Sequence, residues 1–230
     1  MMTVNGFQKM TLLDFPGKVA CTIFLGGCNM RCPFCHNAGL VTGESTDTFS
    51  DGEILSYLEK RKGILDGVCI TGGEPTLRRD LPEFIREIKN LGYAVKLDTN
   101  GTNPALLKSL ALDGLVDYVA MDIKNCFEKY PQTVGVENFD ITPIKESIDF
   151  LLSGAVDFEF RTTVVKQLHT VEDIERIAKE ISSAKKYFIQ NFVDSGNLIG
   201  QGLCAHDEQT LKEMLSAAQK QIPAAALRGV

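Results

Sequence analysis

Residues 19–37 read Val-Ala-Cys-Thr-Ile-Phe-Leu-Gly-Gly-Cys-Asn-Met-Arg-Cys-Pro-Phe-Cys-His-Asn. The first seven are mostly apolar and β-branched residues, which favour a strand, and two glycines end the run. Three cysteines follow, with three residues between the first two and two residues between the last two. The stretch therefore predicts a strand that leads directly into a short loop carrying three thiols.

Similar strand-like runs recur along the 230-residue chain. They are rich in Val, Ile, Phe, Tyr and Thr, and several are flanked by Gly or Asp. The six strand candidates are residues 19–25, 67–71, 93–98, 116–122, 158–163 and 187–192. Apolar residues at helical spacing predict helices between them, at 50–61, 81–91 and 170–181.

Capping signals support these and one further helix. Ser50 precedes Glu53 by three residues, which is the spacing of a capping box. Pro104 after Asn103 is typical of a first helical turn. Gly92 indicates the end of the helix at 81–91.

Strands that alternate with helices predict an α/β fold, in which helices cover a parallel sheet. Right-handed crossovers leave two arrangements, an open doubly wound sheet or a sheet that curls toward a barrel. Six units are too few for a closed eight-fold barrel. We expect an incomplete (β/α)6 TIM-like barrel with parallel strands, formed by residues 1–230 as a single domain, in which residues 1–18 precede the first strand.

Composition indicates the compartment and the classes of partner to expect for the chain. Hydrophobic residues make up 44% and charged residues 23%, which is typical of a soluble protein. No window approaches eighteen consecutive apolar residues, and the first twenty residues lack a secretory pattern, so we expect a cytoplasmic chain without membrane contact. The net charge of −6, without a stripe of Lys and Arg, disfavours nucleic acid as a partner.

Polar residues recur at the carboxyl ends of the predicted strands, where ligands bind in parallel α/β folds. The candidates are Gly72, Gly73, Glu74, Asp98, Thr99, Asn100, Asp122, Lys124, Arg161 and Asn191. Arg161 lies inside an apolar run, and an unpaired charge there is costly, so it must face an acidic or polar group. We expect these residues to form a single site. Glu74 could be a structural anchor of the site rather than a direct contact.

Three of the seven cysteines, Cys28, Cys32 and Cys35, lie within eight residues. Iron–sulfur clusters are held by cysteine thiolates, usually four. Three protein ligands leave one iron open, as catalysis at a metal requires. Zinc is the alternative, but a structural zinc site prefers paired Cys-x2-Cys units, and no second pair follows. We therefore expect a [4Fe–4S] cluster on these three residues.

The other cysteines and histidines have simpler interpretations. Cys21 and Cys69 lie on predicted strands and should be buried as small hydrophobic residues. Cys126 and Cys204 lie in predicted loops. His169 and His206 lie near predicted helix starts and should be exposed to solvent.

The Cys-x3-Cys-x2-Cys spacing, with Phe34 before the last cysteine, resembles the signature of the radical S-adenosylmethionine (SAM) superfamily. Residues 71–75, Thr-Gly-Gly-Glu-Pro, resemble the motif in that superfamily that holds the methionyl amino group. Residues 35–37, 98–101 and 122–124 resemble the branch that activates glycyl-radical enzymes. The opening Leu-Leu-Asp-Phe-Pro-Gly-Lys at 12–18 is most similar to activating proteins of anaerobic ribonucleoside-triphosphate reductase.

The resemblance implies roles for individual residues. Asp122 and Lys124 would contact the methionyl end of SAM, and Phe34 and His36 would lie near its adenine. Arg161 would contact the ribose or carboxylate of SAM, although a structural salt bridge explains it nearly as well. A monovalent cation would bind beside the cofactor, on Asp98, Thr99 and Asp122.

The resemblance also implies an activity. Flavodoxin or ferredoxin would reduce the cluster, SAM would be cleaved reductively, and a glycyl radical would form on a partner enzyme. That partner would be anaerobic ribonucleotide reductase, with a pyruvate formate-lyase-like enzyme next. Two alternatives stay open: a radical SAM enzyme with a small-molecule substrate, such as a 7-carboxy-7-deazaguanine synthase-like enzyme, and a non-enzymatic metal protein.

Overall fold

The structure, a computed structural model, describes residues 2–43 and 48–229. Its strands are β1 (Thr3–Val4), β2 (Gly6–Thr11), β3 (Ala20–Leu25), β4 (Phe49–Ser50), β5 (Gly67–Gly72), β6 (Ala94–Thr99), β7 (Tyr118–Asp122), β8 (Asp157–Val164), β9 (Tyr187–Asn191) and β10 (Ala226–Arg228). Its helices are α1 (Ala38–Thr42), α2 (Asp51–Glu59), α3 (Leu81–Asn90), α4 (Pro104–Leu112), α5 (Tyr130–Val134), α6 (Thr142–Leu152), α7 (Val171–Glu180) and α8 (Glu208–Gln219). Short 3₁₀ turns form at Pro75–Leu77 and Phe127–Lys129.

One eight-stranded sheet organises the chain, in the order β10-β9-β8-β7-β6-β5-β3-β2. Every pairing in it is parallel except that of β2 with β3. Its two edges, β10 and β2, are not paired with each other in the described residues, so the barrel is incomplete. The predicted α/β class and incomplete parallel barrel are confirmed.

The predicted number of strands was too low. All six predicted strands are present, but β10 adds a seventh parallel strand and β2 an antiparallel edge. β2 was missed because its middle residues are polar and exposed, as an edge strand tolerates. β10 has only three residues, which is too short for any alternation to be recognised.

Local signals explain where the helices begin. Ser50 and Glu53 form the predicted capping box at the start of α2: Glu53 N–H donates to Ser50 Oγ at 3.2 Å, and Ser50 N–H donates to Glu53 Oε2 at 2.8 Å. Thr170 and Asp173 form another at α7. α4 begins at Pro104, as its proline predicts.

The helices pack their apolar faces on the sheet, and apolar side chains cover the amino end of β3. α3 buries the apolar residues at 81, 84, 85 and 88, each at most 2% exposed. Phe15 packs with Ala20 and Tyr118 at the amino ends of the strands. The carboxyl ends of the strands are therefore where a cavity can form.

None of the helices in the described part of the chain combines the length and the apolar character needed to cross a bilayer.

Candidate active site

The three predicted ligand cysteines lie on the loop that joins β3 to α1. Cys32 is buried, Cys28 and Cys35 are half-buried, and all three line one cavity. The loop folds tightly on itself, because Cys35 N–H donates to Cys32 O at 3.1 Å and Met30 N–H donates to Cys28 Sγ at 3.4 Å. The three thiols are thus brought to one side of a short loop.

The cavity lies at the carboxyl ends of the strands, has a volume of about 250 Å³ and is open to solvent at its mouth. The predicted site residues that line it are Cys28, Cys32, Phe34, Cys35, His36, Gly72, Gly73, Asp98, Thr99, Asn100, Asp122, Lys124, Arg161 and Asn191.

Five charged side chains form a continuous chain of ion pairs along the cavity. Arg161 joins its two carboxylates, with Nε 2.9 Å from Asp122 Oδ1 and Nη1 3.1 Å from Asp98 Oδ2. Lys124 Nζ lies 3.0 Å from Asp122 Oδ2, and Lys96 pairs with Asp98 Oδ1. The four that line the cavity, Asp98, Asp122, Lys124 and Arg161, balance in charge, and Lys96 is buried behind them. The requirement that Arg161 faces acidic groups is met.

The pairs keep these groups ionised. Burial opposes the charge on Asp122, but Arg161 and Lys124 outweigh it and hold the pKa of that carboxyl well below its usual range. Burial also opposes the charge on Lys124, and Asp122 raises its pKa instead. Lys124 is the cation of this set that lowers the pKa of both Cys28 and Cys32, so it favours an anionic ligand such as a thiolate or a carboxylate beside it.

Cys28 and Cys32 are poor acids without a metal. Burial raises the pKa of Cys32 to about 12, with Lys124 opposing the increase. Burial likewise raises the pKa of Cys28. A bound cation is needed to convert such thiols to thiolates, and metals do this directly.

Glu74 lies behind the wall of the cavity and is 1% exposed. Its carboxylate accepts hydrogen bonds from Thr76 N at 3.0 Å and Thr76 Oγ1 at 2.5 Å, from Thr99 Oγ1 at 2.8 Å, and from Asn100 N at 2.6 Å. This position matches the anchor role left open from the sequence. Glu74 ties the end of β6 to the end of β5.

Two other predicted residues, Asn191 and Asn100, form hydrogen bonds with other residues of the chain. The Asn191 amide pairs with the backbone of His206: Asn191 Nδ2 donates to His206 O at 2.9 Å, and His206 N donates to Asn191 Oδ1 at 3.1 Å. Asn100 Nδ2 donates to Asn29 Oδ1 at 2.9 Å and lies 3.9 Å from Cys28 Sγ. Asn191 therefore closes a loop, and Asn100 supports the cysteine loop.

The aromatic candidates lie on either side of the last cysteine. Phe34 is 5% exposed and meets the ring of His169 edge-on, with ring centroids 6.1 Å apart. His36 lies exposed at the rim and meets Phe192 edge-on at 6.0 Å. Burial lowers the pKa of His36.

The expectation that His169 and His206 are solvent-exposed was wrong. His169 is 1% exposed because the loop after β8 folds back beneath the cysteine loop. Its Nδ1 accepts from Val165 N at 3.1 Å, which leaves its Nε2 to donate to Lys124 O at 2.8 Å. His206 is half-buried. Cys21 and Cys69 are fully buried as expected.

Thr71 and Asn37 line the cavity within the motifs at 71–75 and 35–37, and Gln190 does so beside Asn191, whereas Met30, Val41 and Thr163 were missed. Thr163 could have been found, because it lies two residues after Arg161 and so shares its face of β8. The sequence gives no comparable signal for Val41, which reaches the cavity from α1.

The donor set decides which metal centre fits. A single zinc ion holds its sulfurs about 3.8 Å apart, given bonds of about 2.3 Å. Among the described residues, no three His, Cys, Asp or Glu side chains converge closely enough for one ion. The three thiols instead surround one cavity. This arrangement suits an iron–sulfur cluster, which is wider than a single ion, with one iron left without a protein ligand. The thiols fit that group.

The donor atoms at the predicted monovalent-cation site do not fit a cation in the same way. All four carboxylate oxygens of Asp98 and Asp122 are already paired with Lys96, Arg161 or Lys124. Thr99 Oγ1 donates to Glu74 and accepts from Gly101 N at 3.1 Å. These side chains do not fit a cation in this arrangement.

A partial parallel barrel in which the loop after β3 brings three cysteines into a cavity lined by ion pairs is typical of a class of iron–sulfur enzymes. Comparison with known families agrees, because the model of the radical SAM superfamily matches residues 22–164. This chain belongs to the radical SAM superfamily and is an enzyme. Membership implies a [4Fe–4S] cluster and SAM as cofactors.

Individual relatives extend the comparison. MJ1227 of Methanocaldococcus jannaschii, whose name classes it with the glycyl-radical enzyme activating enzymes, is 35% identical over 99% of this chain and 96% of its own length. Streptococcus suis SuiB bound to its precursor peptide SuiA has a TM-score of 0.71 at 16% identity, over 90% of this chain and 48% of SuiB. A domain of a Bacteroides vulgatus pyruvate-formate lyase-activating enzyme has a TM-score of 0.55 at 15% identity, over 71% of this chain and 99% of that domain. At such identities the two structures show the fold alone.

Proposed function

We propose that this chain is an activase that cleaves SAM reductively and generates a glycyl radical on a partner enzyme. The observation that carries the proposal is the 35% identity to MJ1227 over nearly the full length of both proteins. A match over a shared cofactor domain alone would support only the superfamily. A match across the whole chain also supports a shared type of substrate.

The residues of the cavity have distinct tasks in this proposal. Cys28, Cys32 and Cys35 hold the cluster, which, when bound, supplies one electron to the sulfonium and so releases methionine and a 5′-deoxyadenosyl radical. Lys124, a compact cation in the cavity, binds the carboxylate of the methionyl group. Phe34 and His36 border the space for the adenine and exclude water from it.

The partner supplies the hydrogen atom that the radical takes. A backbone glycine of the partner loses that hydrogen to the 5′-deoxyadenosyl radical, which becomes 5′-deoxyadenosine. The cavity is open at the strand ends, so a peptide loop can reach it. Anaerobic ribonucleotide reductase is the first candidate partner and a pyruvate formate-lyase-like enzyme the second, with flavodoxin or ferredoxin as the electron donor.

The test uses the reconstituted, reduced protein with SAM and each candidate partner under anaerobic conditions. We expect a glycyl radical signal in electron paramagnetic resonance and one 5′-deoxyadenosine per radical. Cys32→Ala should abolish cofactor cleavage, because it removes a cluster ligand. Cys204→Ala, at an exposed cysteine outside the cavity, should leave cleavage intact.

Two results would overturn the proposal. Cofactor cleavage with turnover of a small molecule and without a glycyl signal would favour a small-molecule radical SAM enzyme. A colourless protein that contains zinc and does not cleave SAM would favour a non-enzymatic metal protein.

A further inference from the structure

Two segments distant in sequence hold the backbone of the cysteine loop from outside the cavity. Arg31 N–H donates to Val134 O at 2.8 Å, at the end of α5. Gly200 N–H donates to Pro33 O at 2.8 Å, from the loop between β9 and α8. We call residues 192–206 of that loop the strap. Both bonds join main-chain atoms, so they do not depend on the cysteine side chains.

A glycine lies at or next to each contact, and its missing side chain allows the close approach. At Gly135, a Cβ would lie 2.5 Å from Arg31 O, and the backbone has the left-handed φ of +65°. At Gly200, a Cβ would lie 2.5 Å from Pro33 Cβ and 3.1 Å from Pro33 Cα. A main-chain oxygen and a proline ring cannot move aside as the end of a flexible side chain would. Any residue other than glycine would therefore push the cysteine loop away.

The strap is anchored independently of the cysteine loop. Asn191 and His206 close its base with their two hydrogen bonds. Near its end, Cys204 N–H donates to Gln167 Oε1 at 2.9 Å, and Lys166 N–H donates to Cys204 O at 3.0 Å. Gly200 is thus held from behind, and its bond to Pro33 fixes the cysteine loop against a stable support.

We propose that Gly135 and Gly200 are positioning residues that hold the cysteine loop in its cluster-binding shape before iron is bound. Ordering a flexible backbone costs conformational entropy, so a loop left free would lose much of its affinity for a cluster. Holding the loop in place lowers that cost at the moment of binding. The inference goes beyond the proposed function, because it concerns the metal-free chain and needs no partner.

The test measures the order of the loop directly in the metal-free protein. Arg31 is exposed, and trypsin cleaves after arginine only where the backbone can open locally. We expect Gly135→Ala and Gly200→Ala to speed cleavage of the 31–32 bond by at least about tenfold. After reconstitution, the same variants should lose iron to a chelator several times faster than the unchanged protein.

The chain offers a matched control for each variant. Gly154 has a φ of +76° but open space where a Cβ would go, so Gly154→Ala reproduces the backbone strain of Gly135→Ala without its clash. Gly52 has open space and no left-handed φ, so it matches Gly200 in the same way. Both control variants should cleave at the 31–32 bond within about twofold of the unchanged protein.

Three outcomes overturn the inference: unchanged cleavage in both test variants, equal acceleration in test and control variants, or unchanged iron release. If a test variant lacks a cooperative melting transition, Gln167→Ala replaces it. That change removes an anchor of the strap without adding bulk, and should speed cleavage about threefold if the inference holds; no change refutes it. Failure to form a glycyl radical on any partner would refute the proposed function alone, since the protease test uses neither SAM nor partner.

Discussion

Arg161 is the side chain that joins the two carboxylates of the cavity, at 2.9 Å and 3.1 Å. While it is present, every carboxylate oxygen of Asp98 and Asp122 is paired with a side-chain cation, which disfavours a further small cation. We therefore expect the Tm of the metal-free protein to be equal, within about 1 °C, in potassium chloride and in tetramethylammonium chloride at the same ionic strength.

Arg161→Gln should change this behaviour. It leaves two half-buried carboxylates short of positive charge and lowers Tm; the loss in free energy of unfolding is smaller than the roughly 3–5 kcal/mol that breaking a fully buried ion pair costs. Potassium should then restore part of the loss by binding between the carboxylates, raising Tm by about 2–4 °C for each kcal/mol recovered. A potassium effect on the unchanged protein, or none on the variant, would contradict this account of the site.

Glu180 gives a prediction about pH. Its Oε2 is buried with no hydrogen-bond partner in the described residues, and burial raises its pKa from 4.5 to about 7, with Glu128 adding to the increase. The folded state thus holds this proton more tightly than the unfolded state, so its contribution to stability is full below pH 4.5 and falls as the pH rises to about 7. Solvent screens the half-buried group, so the loss should be about 1 kcal/mol.

Glu180→Gln removes this titration and keeps the acceptor for Phe127 N–H. The variant should melt about 2–4 °C above the unchanged protein at pH 8, with the difference vanishing near pH 4.5. A constant difference between pH 5 and pH 8 would show that another property of the side chain is responsible.

The positions of some site residues could be predicted from the sequence, whereas their pairing and burial could not. The three cysteines, Asp98 and Asp122 were placed at one site because strand ends meet at one edge of a parallel sheet. The ion-pair partners of these aspartates were not predictable, because Arg161 on β8 reaches Asp122 on the adjacent β7 and Asp98 on β6, one strand further, and such pairing depends on register. Burial of His169 depends on a loop fold for which the sequence carries no periodic signal.

At the scale of elements, the strap depends on one side chain at its base. Asn191→Ala removes both hydrogen bonds to His206, so amides in residues 192–206 should exchange with deuterium at least about tenfold faster. Asn197→Ala is the matched control, since Asn197 lies exposed within the strap. Equal exchange in the two variants would mean that the base of the strap is held by other contacts.

Elements with strong local signals were predicted closely. α2 and α7 begin at their capping boxes, and α3 ends two residues before Gly92. The strap and β10 carry no local signal of this kind, since each takes its shape from contacts with distant segments. Local chemistry thus predicts the scaffold, while the parts that close over the site need tertiary contacts.

At the scale of the whole molecule, the end of the chain returns to complete the interior of the barrel. β10 pairs with β9 and brings Arg228 against Glu159, with N–O distances of 2.7 Å and 3.1 Å. Glu159 is 1% exposed and also accepts from Tyr118 Oη at 2.9 Å. Arg228, 69 positions further along the chain, therefore balances the buried negative charge of Glu159.

Arg228→Gln should leave Glu159 charged and buried, and lower the free energy of unfolding by about 3 kcal/mol, the lower end for a broken buried pair because Arg228 is partly exposed. Adding Glu159→Gln removes the stranded charge, so the double variant should recover at least half of that loss in urea denaturation of the metal-free protein. If the second change deepens the loss instead, Glu159 is stabilised by its other contacts, and the end of the chain holds the barrel through the pairing of β10 with β9 rather than through charge.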